Sequence, residues 1–115
     1  MPTLMTLDVL VETLTGFLRI TDAELAHILD VSPRTVERWK AGATFPQHES
    51  RQRLEALEAL VHRLDESFKT PDGARLWLHA ASGYFGGLKP IDALLRGRID
   101  AVDAALEALD SGIFV

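Results

Sequence analysis

The sequence predicts an all-α fold, and three observations carry that prediction. Apolar residues recur at spacings of three and four along the chain, the period of helices with one buried face. No segment alternates β-branched and polar residues as a half-buried strand would. Helix starts are written out as cap signals at Thr21-Asp-Ala-Glu24, Ser32-Pro33 and Thr70-Pro71.

A first helix over about 6–19 carries Leu7, Leu10, Val11, Leu14 and Leu18 on one stripe, with Gly16 as its weak point. Thr21 and Glu24 form a capping box that opens a second helix, which runs to about Leu29. Asp30 follows, a residue type that tolerates the left-handed conformation. Ser32 caps a third helix and Pro33 occupies its first position, where the missing N–H costs nothing. That helix ends near Ala41, with Gly42 as its terminating glycine.

A longer helix over about 47–68 is set by Leu54, Leu57, Val61, Leu64 and Phe68. Such a seam needs a helix against it, from this chain or from a second copy. Thr70-Pro71-Asp72 starts a fifth helix carrying Leu76, Trp77, Leu78 and Ala80, and the glycines around Tyr84-Phe85 make a short loop. Pro90 opens a short helix with Ile91, Leu94 and Leu95, which Gly97 stops. The last helix, about 99–111, aligns Ile99, Val102, Leu106 and Leu109, and Gly112 ends it before Ile113-Phe114-Val115.

A chain of 115 residues with 47% apolar content is long enough for one compact core. It has no cysteine, no basic leader and no apolar run approaching the ~20 residues of a membrane span, so a cytoplasmic protein without disulfides is expected. The net charge is −5, which excludes indiscriminate coating of nucleic acid. Residues 32–53 run against that balance, with Arg34, Arg38, Lys40, Arg51 and Arg53 facing only Glu37 and Glu49. A basic stripe on an acidic body is the footprint of a local anion-binding face.

The second and third helices have the residues of a helix-turn-helix. Leu25, Leu29, Val36 and Trp39 would pack the pair, and Ala26 permits close approach. Ser32, Arg34, Thr35, Arg38 and Lys40 then lie outward on the second helix of the pair, the position that reaches base edges and phosphates in a major groove. Asp30 stands at the usual turn glycine and brings a negative charge to that face. Two readings follow: operator DNA binding, or a DNA-binding fold kept as an oligomerisation scaffold.

His27, His48, His62 and His79 are scattered without metal-ligand spacing, so no metal or other cofactor is expected. Asp100, Asp103, Glu107 and Asp110 form one acidic helix face with nothing apolar interleaved, read as solvated or as complementary to a basic partner. No nucleophile, base and oxyanion set is visible, and the chain is not read as an enzyme.

The ordered set of a helix-turn-helix over 21–42, then Trp77-Leu78, Gly86-Gly87, Lys89-Pro90-Ile91-Asp92-Ala93-Leu94-Leu95 and a terminal Gly112-Ile113-Phe114-Val115 resembles the Xre/MbcA/ParS antitoxins. The resemblance spans nearly the whole chain. It implies a helix-turn-helix domain over 1–46, a connecting helix over 47–69 and a toxin-binding domain over 70–115. It further implies a RES-domain toxin as partner, an NAD-consuming protein whose cleft the antitoxin's C-terminal segment enters or covers. Trp77, Gly112, Ile113, Phe114 and Val115 are the matching toxin-binding positions here. Repression of the shared operon through Ser32, Arg34, Thr35, Arg38 and Lys40 is a further implication, as is a homodimer within a larger complex. Taken without the resemblance, the apolar tail either folds back on its own core or enters a groove on another protein. The competing function is a dimeric helix-turn-helix repressor with no toxin partner.

Overall fold

A computed structural model describes residues 6–112, and Ile113, Phe114 and Val115 lie outside the described residues. Seven α-helices follow one another: α1 (Leu7–Leu18), α2 (Asp22–Leu29), α3 (Pro33–Lys40), α4 (His48–Ser67), α5 (Pro71–Leu78), α6 (Pro90–Leu95) and α7 (Ile99–Asp110). One 3₁₀ turn, Gly83–Phe85, sits between α5 and α6. There is no strand among the described residues, and no helix among them is long and apolar enough to cross a membrane.

The starts form where the local chemistry places them. Thr21 accepts the Glu24 amide at 3.0 Å, and Glu24 accepts the Thr21 amide at 2.9 Å. Two amides that α2 cannot satisfy internally are thereby paired. Ser32 and Thr70 cap α3 and α5 in the same way, each accepting the amide three residues on, with proline in the first turn. Asp30 adopts φ 57° and ψ 46°, so the Val31 amide turns back onto the Ala26 carbonyl at 2.9 Å and closes α2.

One apolar core joins all seven helices. Leu25, Ala26, Leu29, Val36 and Trp39 are buried where α2 and α3 meet. The α4 seam is satisfied within the chain: Leu54, Leu57, Leu60, Val61 and Leu64 are buried, and α4 packs on α1, α2, α5 and α7. Phe68 is not part of that helix. It caps α4 in an extended conformation and turns its ring toward Trp77.

In α5 the buried face is Ala74 and Leu78, four residues apart, whereas Leu76 is 74% exposed. A position two residues from both members of such a pair points away from them on a 3.6-residue period, so Leu76 faces outward although it is apolar. The α6–α7 corner packs closely on α2. Gly97, at φ +81°, lies where an added Cβ would stand 3.4 Å from the Ile28 carbonyl oxygen.

The α7 carboxylates also differ from a bare solvated face. Arg63 of α4 donates to Asp103 at 2.9 Å and to Glu107, with Asp110 at 3.8 Å. Glu107 first, then Asp103, raises the Arg63 pKa further above its ordinary value. The basic partner of that acidic face is therefore inside the chain. Asp100 stands apart, paired with Arg98, which holds its carboxyl below the usual range.

Candidate functional site

Two surfaces gather the residues singled out by the sequence. The first is the outer side of α3, which the buried pair Val36 and Trp39 orients. Arg34 and Arg38 are exposed there, and neither has an ion-pair or hydrogen-bond partner among the described residues. Ser32 and Thr35 are engaged with each other: the Ser32 hydroxyl accepts the Thr35 amide at 3.2 Å, and the two hydroxyl oxygens lie 2.9 Å apart.

Lys40 has a different environment. Its ammonium donates to the Asp22 carboxylate at 2.9 Å, across from α3 to the first turn of α2. That hydrogen bond, with the charge of the same carboxylate, raises the lysine pKa above 10.5. Arg53 is also turned inward, 3.9 Å from Asp30 and 3.5 Å from the Leu29 carbonyl. The negative charge that Asp30 brings to the turn is thus partly met by a cation of the next helix. Arg51 stays exposed at the start of α4.

One residue near this face is not marked by any helical stripe of the sequence. Phe45, in the loop after α3, is 72% exposed, and with Leu7, Trp39 and Lys40 it lines an open depression. A signal was available, since an aromatic just before Pro46 has no core position waiting for it.

The second surface lies at the other end of the chain. Trp77 is half-buried, its ring 6.0 Å from that of Phe68 at 38°. It also helps line a small cleft of about 190 Å³ with Ala81, Tyr84, Ala105 and Leu109. Tyr84 and Phe85 meet edge to face at 5.2 Å, which fixes the 3₁₀ turn as one wall. Alanines after α5 and on α7 leave the space, because a longer side chain at Ala80, Ala81 or Ala105 would fill it.

Gly112 ends α7 at φ +71°, with its amide on the Leu109 carbonyl at 3.1 Å. Leu109 is both a wall of the Trp77 cleft and part of the last turn before that glycine, so the chain leaves α7 beside the cleft. Trp77 and Gly112 are thereby brought to one end of the molecule. The other expected toxin-binding positions, Ile113, Phe114 and Val115, lie outside the described residues.

Arg75 ties this end to the first helix. Its Nε donates to the Phe17 carbonyl at 2.8 Å and an Nη to the Gly16 carbonyl at 3.3 Å. The other Nη meets Asp72 at 2.9 Å, and the guanidinium lies 5.7 Å from the centre of the Phe17 ring. Carbonyls at the end of a helix need such donors, so Arg75 acts as a side-chain cap for α1 supplied from α5.

No family model matches the chain. Among known proteins it is similar to the mycobacterial cidal antitoxin MbcA of Mycobacterium tuberculosis and of Mycobacterium bovis, at 33% identity over 114 residues, covering 96% of this chain and 100% of each relative. It is also 35% identical over 96 residues to the probable mycobacterial cidal antitoxin Rv3188 of Mycobacterium tuberculosis, covering 84% of this chain and 81% of that one. Among solved structures it matches a chain of the crystal structure of the M. tuberculosis MbcT–MbcA toxin–antitoxin complex, with a TM-score of 0.66 and 32% identity over 97% of this chain and 100% of that chain.

Proposed function

The chain belongs to the family of the MbcA antitoxins, and from that membership we propose that it silences a RES-domain, NAD-consuming toxin by laying its C-terminal segment over the toxin's active-site cleft. It is the antitoxin of a toxin–antitoxin system. The finer reading assigns the contact to Trp77, Gly112, Ile113, Phe114 and Val115, within a toxin-facing unit of residues 70–115. A long helix over 47–69 joins it to a helix-turn-helix unit over 1–46. The division is one of surfaces, since all seven helices share one core.

The observation that carries this reading is the end of α7. Gly112 ends α7 at positive φ beside an aromatic cleft, and the sequence continues with the apolar Ile113, Phe114 and Val115. Glycine there removes the steric penalty that another residue would bear in the left-handed region. An apolar Ile-Phe-Val segment suits a groove on another protein that accepts an aromatic side chain.

Inhibition of this kind is binding, not catalysis. Co-expression of the toxin with the chain lacking residues 113–115 tests it. Growth arrest should return while the truncated protein keeps its helical circular dichroism. Full protection by the truncated chain would refute the reading.

A second activity, repression of the shared operon, is favoured by Arg34 and Arg38, two outward guanidinium groups without partners among the described residues on the face of α3. Such groups are able to grip guanine edges or phosphates. Ser32 and Thr35 would offer hydroxyls to phosphate after exchanging their mutual hydrogen bond, and Lys40 would have to leave Asp22 to do the same. The arginines therefore carry this reading. A homodimer, with half-sites spaced to match, would be the form that binds operator DNA. The alternative function, a repressor without a toxin, predicts operator binding but no protection in the co-expression assay.

A further inference from the structure

An apolar groove runs between α1 and α4, away from both surfaces described above. Leu10, Phe17 and Val61 form its floor, and its volume is about 590 Å³. Its outer rim is acidic. Glu55, Glu58 and Asp65 share one stripe of α4 at helical spacing, with His62 between Glu58 and Asp65 and turned to Glu66 at 3.5 Å, and all four line the groove. The groove follows α4 for about 15 Å and α1 for about 10 Å, at 1.5 Å per residue.

These three carboxylates differ from those that an arginine or lysine of the chain already meets. Asp22 has Lys40, Asp72 has Arg75, Asp100 has Arg98, and Asp103 and Glu107 share Arg63. Glu55, Glu58 and Asp65 have no ion-pair partner among the described residues.

We infer that the α1–α4 groove is a docking site for a basic amphipathic helix of a second protein, whose apolar anchors lie on Leu10, Phe17 and Val61 while its lysines or arginines pair with Glu55, Glu58 and Asp65. A second copy of this chain fits less well. A two-fold contact sets the same stripe against itself, so three carboxylates with one histidine among them would face their like across the interface. A basic helix meets the apolar floor and the acidic rim together. The groove length matches the two to three turns over which such helices place anchors at i, i+3 or i+4, and i+7.

The test uses the full chain and a fluorescein-labelled peptide of about three helical turns, with leucines at anchor spacing and flanking lysines, beside a twin carrying glutamates in place of the lysines. The lysine peptide should bind saturably and weaken as salt is raised. The glutamate twin should bind at least about tenfold less well, and the triple variant Glu55→Gln/Glu58→Gln/Asp65→Asn should lose about tenfold in affinity for the lysine peptide.

Glu55 and Asp65 are exposed and Glu58 is half-buried, and matching thermal unfolding would show that the fold is intact. Absent binding, equal binding of the twins, or an unchanged affinity in the triple variant overturns the inference. So does a dimer in sedimentation that Thr13→Arg, on the groove rim, dissociates, because a second copy would then occupy the site.

Discussion

Removing the Arg75 guanidinium should loosen the joint between the first helix and the C-terminal surface. Arg75→Met keeps most of the stem over Phe17 and deletes every donor. The side chain is 20% exposed, so each interaction must be discounted for solvent. The 2.8 Å bond to Phe17 contributes about 1.5 kcal/mol, the low end for a charge-assisted bond, and the 3.3 Å bond to Gly16 about 0.5. Asp72 is 78% exposed, so its pair adds at most about 0.5 kcal/mol, and the cation–π contact adds about 0.5.

The expected loss is therefore about 2–3 kcal/mol. With roughly 2.1 cal/mol/K of unfolding entropy per residue, that lowers Tm by about 8–12 °C in a chain of this size. Arg75→Lys, which keeps the charge and one donor direction but not the planar fork, should lose about half as much. Urea unfolding followed by circular dichroism gives the free energies, and calorimetry gives the midpoints. If Arg75→Met stays within about 0.5 kcal/mol of the wild type, the capping argument fails, because the two carbonyls of α1 would then be satisfied without it.

Four other outcomes are expected. Trp77→Ala should cost roughly 2 kcal/mol, less than the ~3–5 of a fully buried tryptophan because the ring is only half covered, and it should weaken toxin neutralisation at matched protein levels. In operator-binding titrations, Arg34→Ala/Arg38→Ala should lower the slope of log K against log salt by about 2, near 0.9 for each phosphate that is no longer neutralised, whereas Lys40→Ala should change it less. The Asp22–Lys40 pair has a defined pH window. Because folding raises the lysine pKa, its contribution is full below 10.5 and disappears as pH rises through the higher folded value, so the Tm gap between wild type and Asp22→Asn should hold from neutral pH to about 10 and close beyond; a gap closing between pH 7 and 9 would contradict the assignment. Asp30→Gly should leave stability within about 1 kcal/mol, relief at φ 57° offsetting the added freedom of the unfolded chain, and should tighten operator binding by removing a carboxylate from that face.

Much of the fold was legible because its signals are local. The capping box at Thr21 and Glu24 spans three residues and is complete within its own turn. The seam of α4 and the packing residues of α2 and α3 were readable for a related reason, since a long or strongly patterned stripe leaves little choice of face. The buried face of α5 was not legible, because over two turns of an eight-residue helix the apolar residues Ala74, Leu76, Trp77 and Leu78 fall on more than one side. The candidate surfaces were less legible than the helices carrying them. Lys40 belongs to the basic stripe in sequence, yet its ammonium is committed to a carboxylate 18 residues earlier.

The sequence by itself determined where helices begin, where most of them end to within a residue or two, which residues are apolar enough to form a core, and which family signature the chain carries. Those properties depend on hydrogen bonds and steric limits within about one helical turn. Only the tertiary structure decided which charges are spent inside the molecule and which remain for a partner. Arg63 meets Asp103 across 40 residues and Arg75 meets the Phe17 carbonyl across 58, while Arg34, Arg38, Glu55, Glu58 and Asp65 meet no opposite charge among the described residues. A charge interacts with whatever the fold brings within a few ångströms, and spacing along the sequence carries no record of that distance.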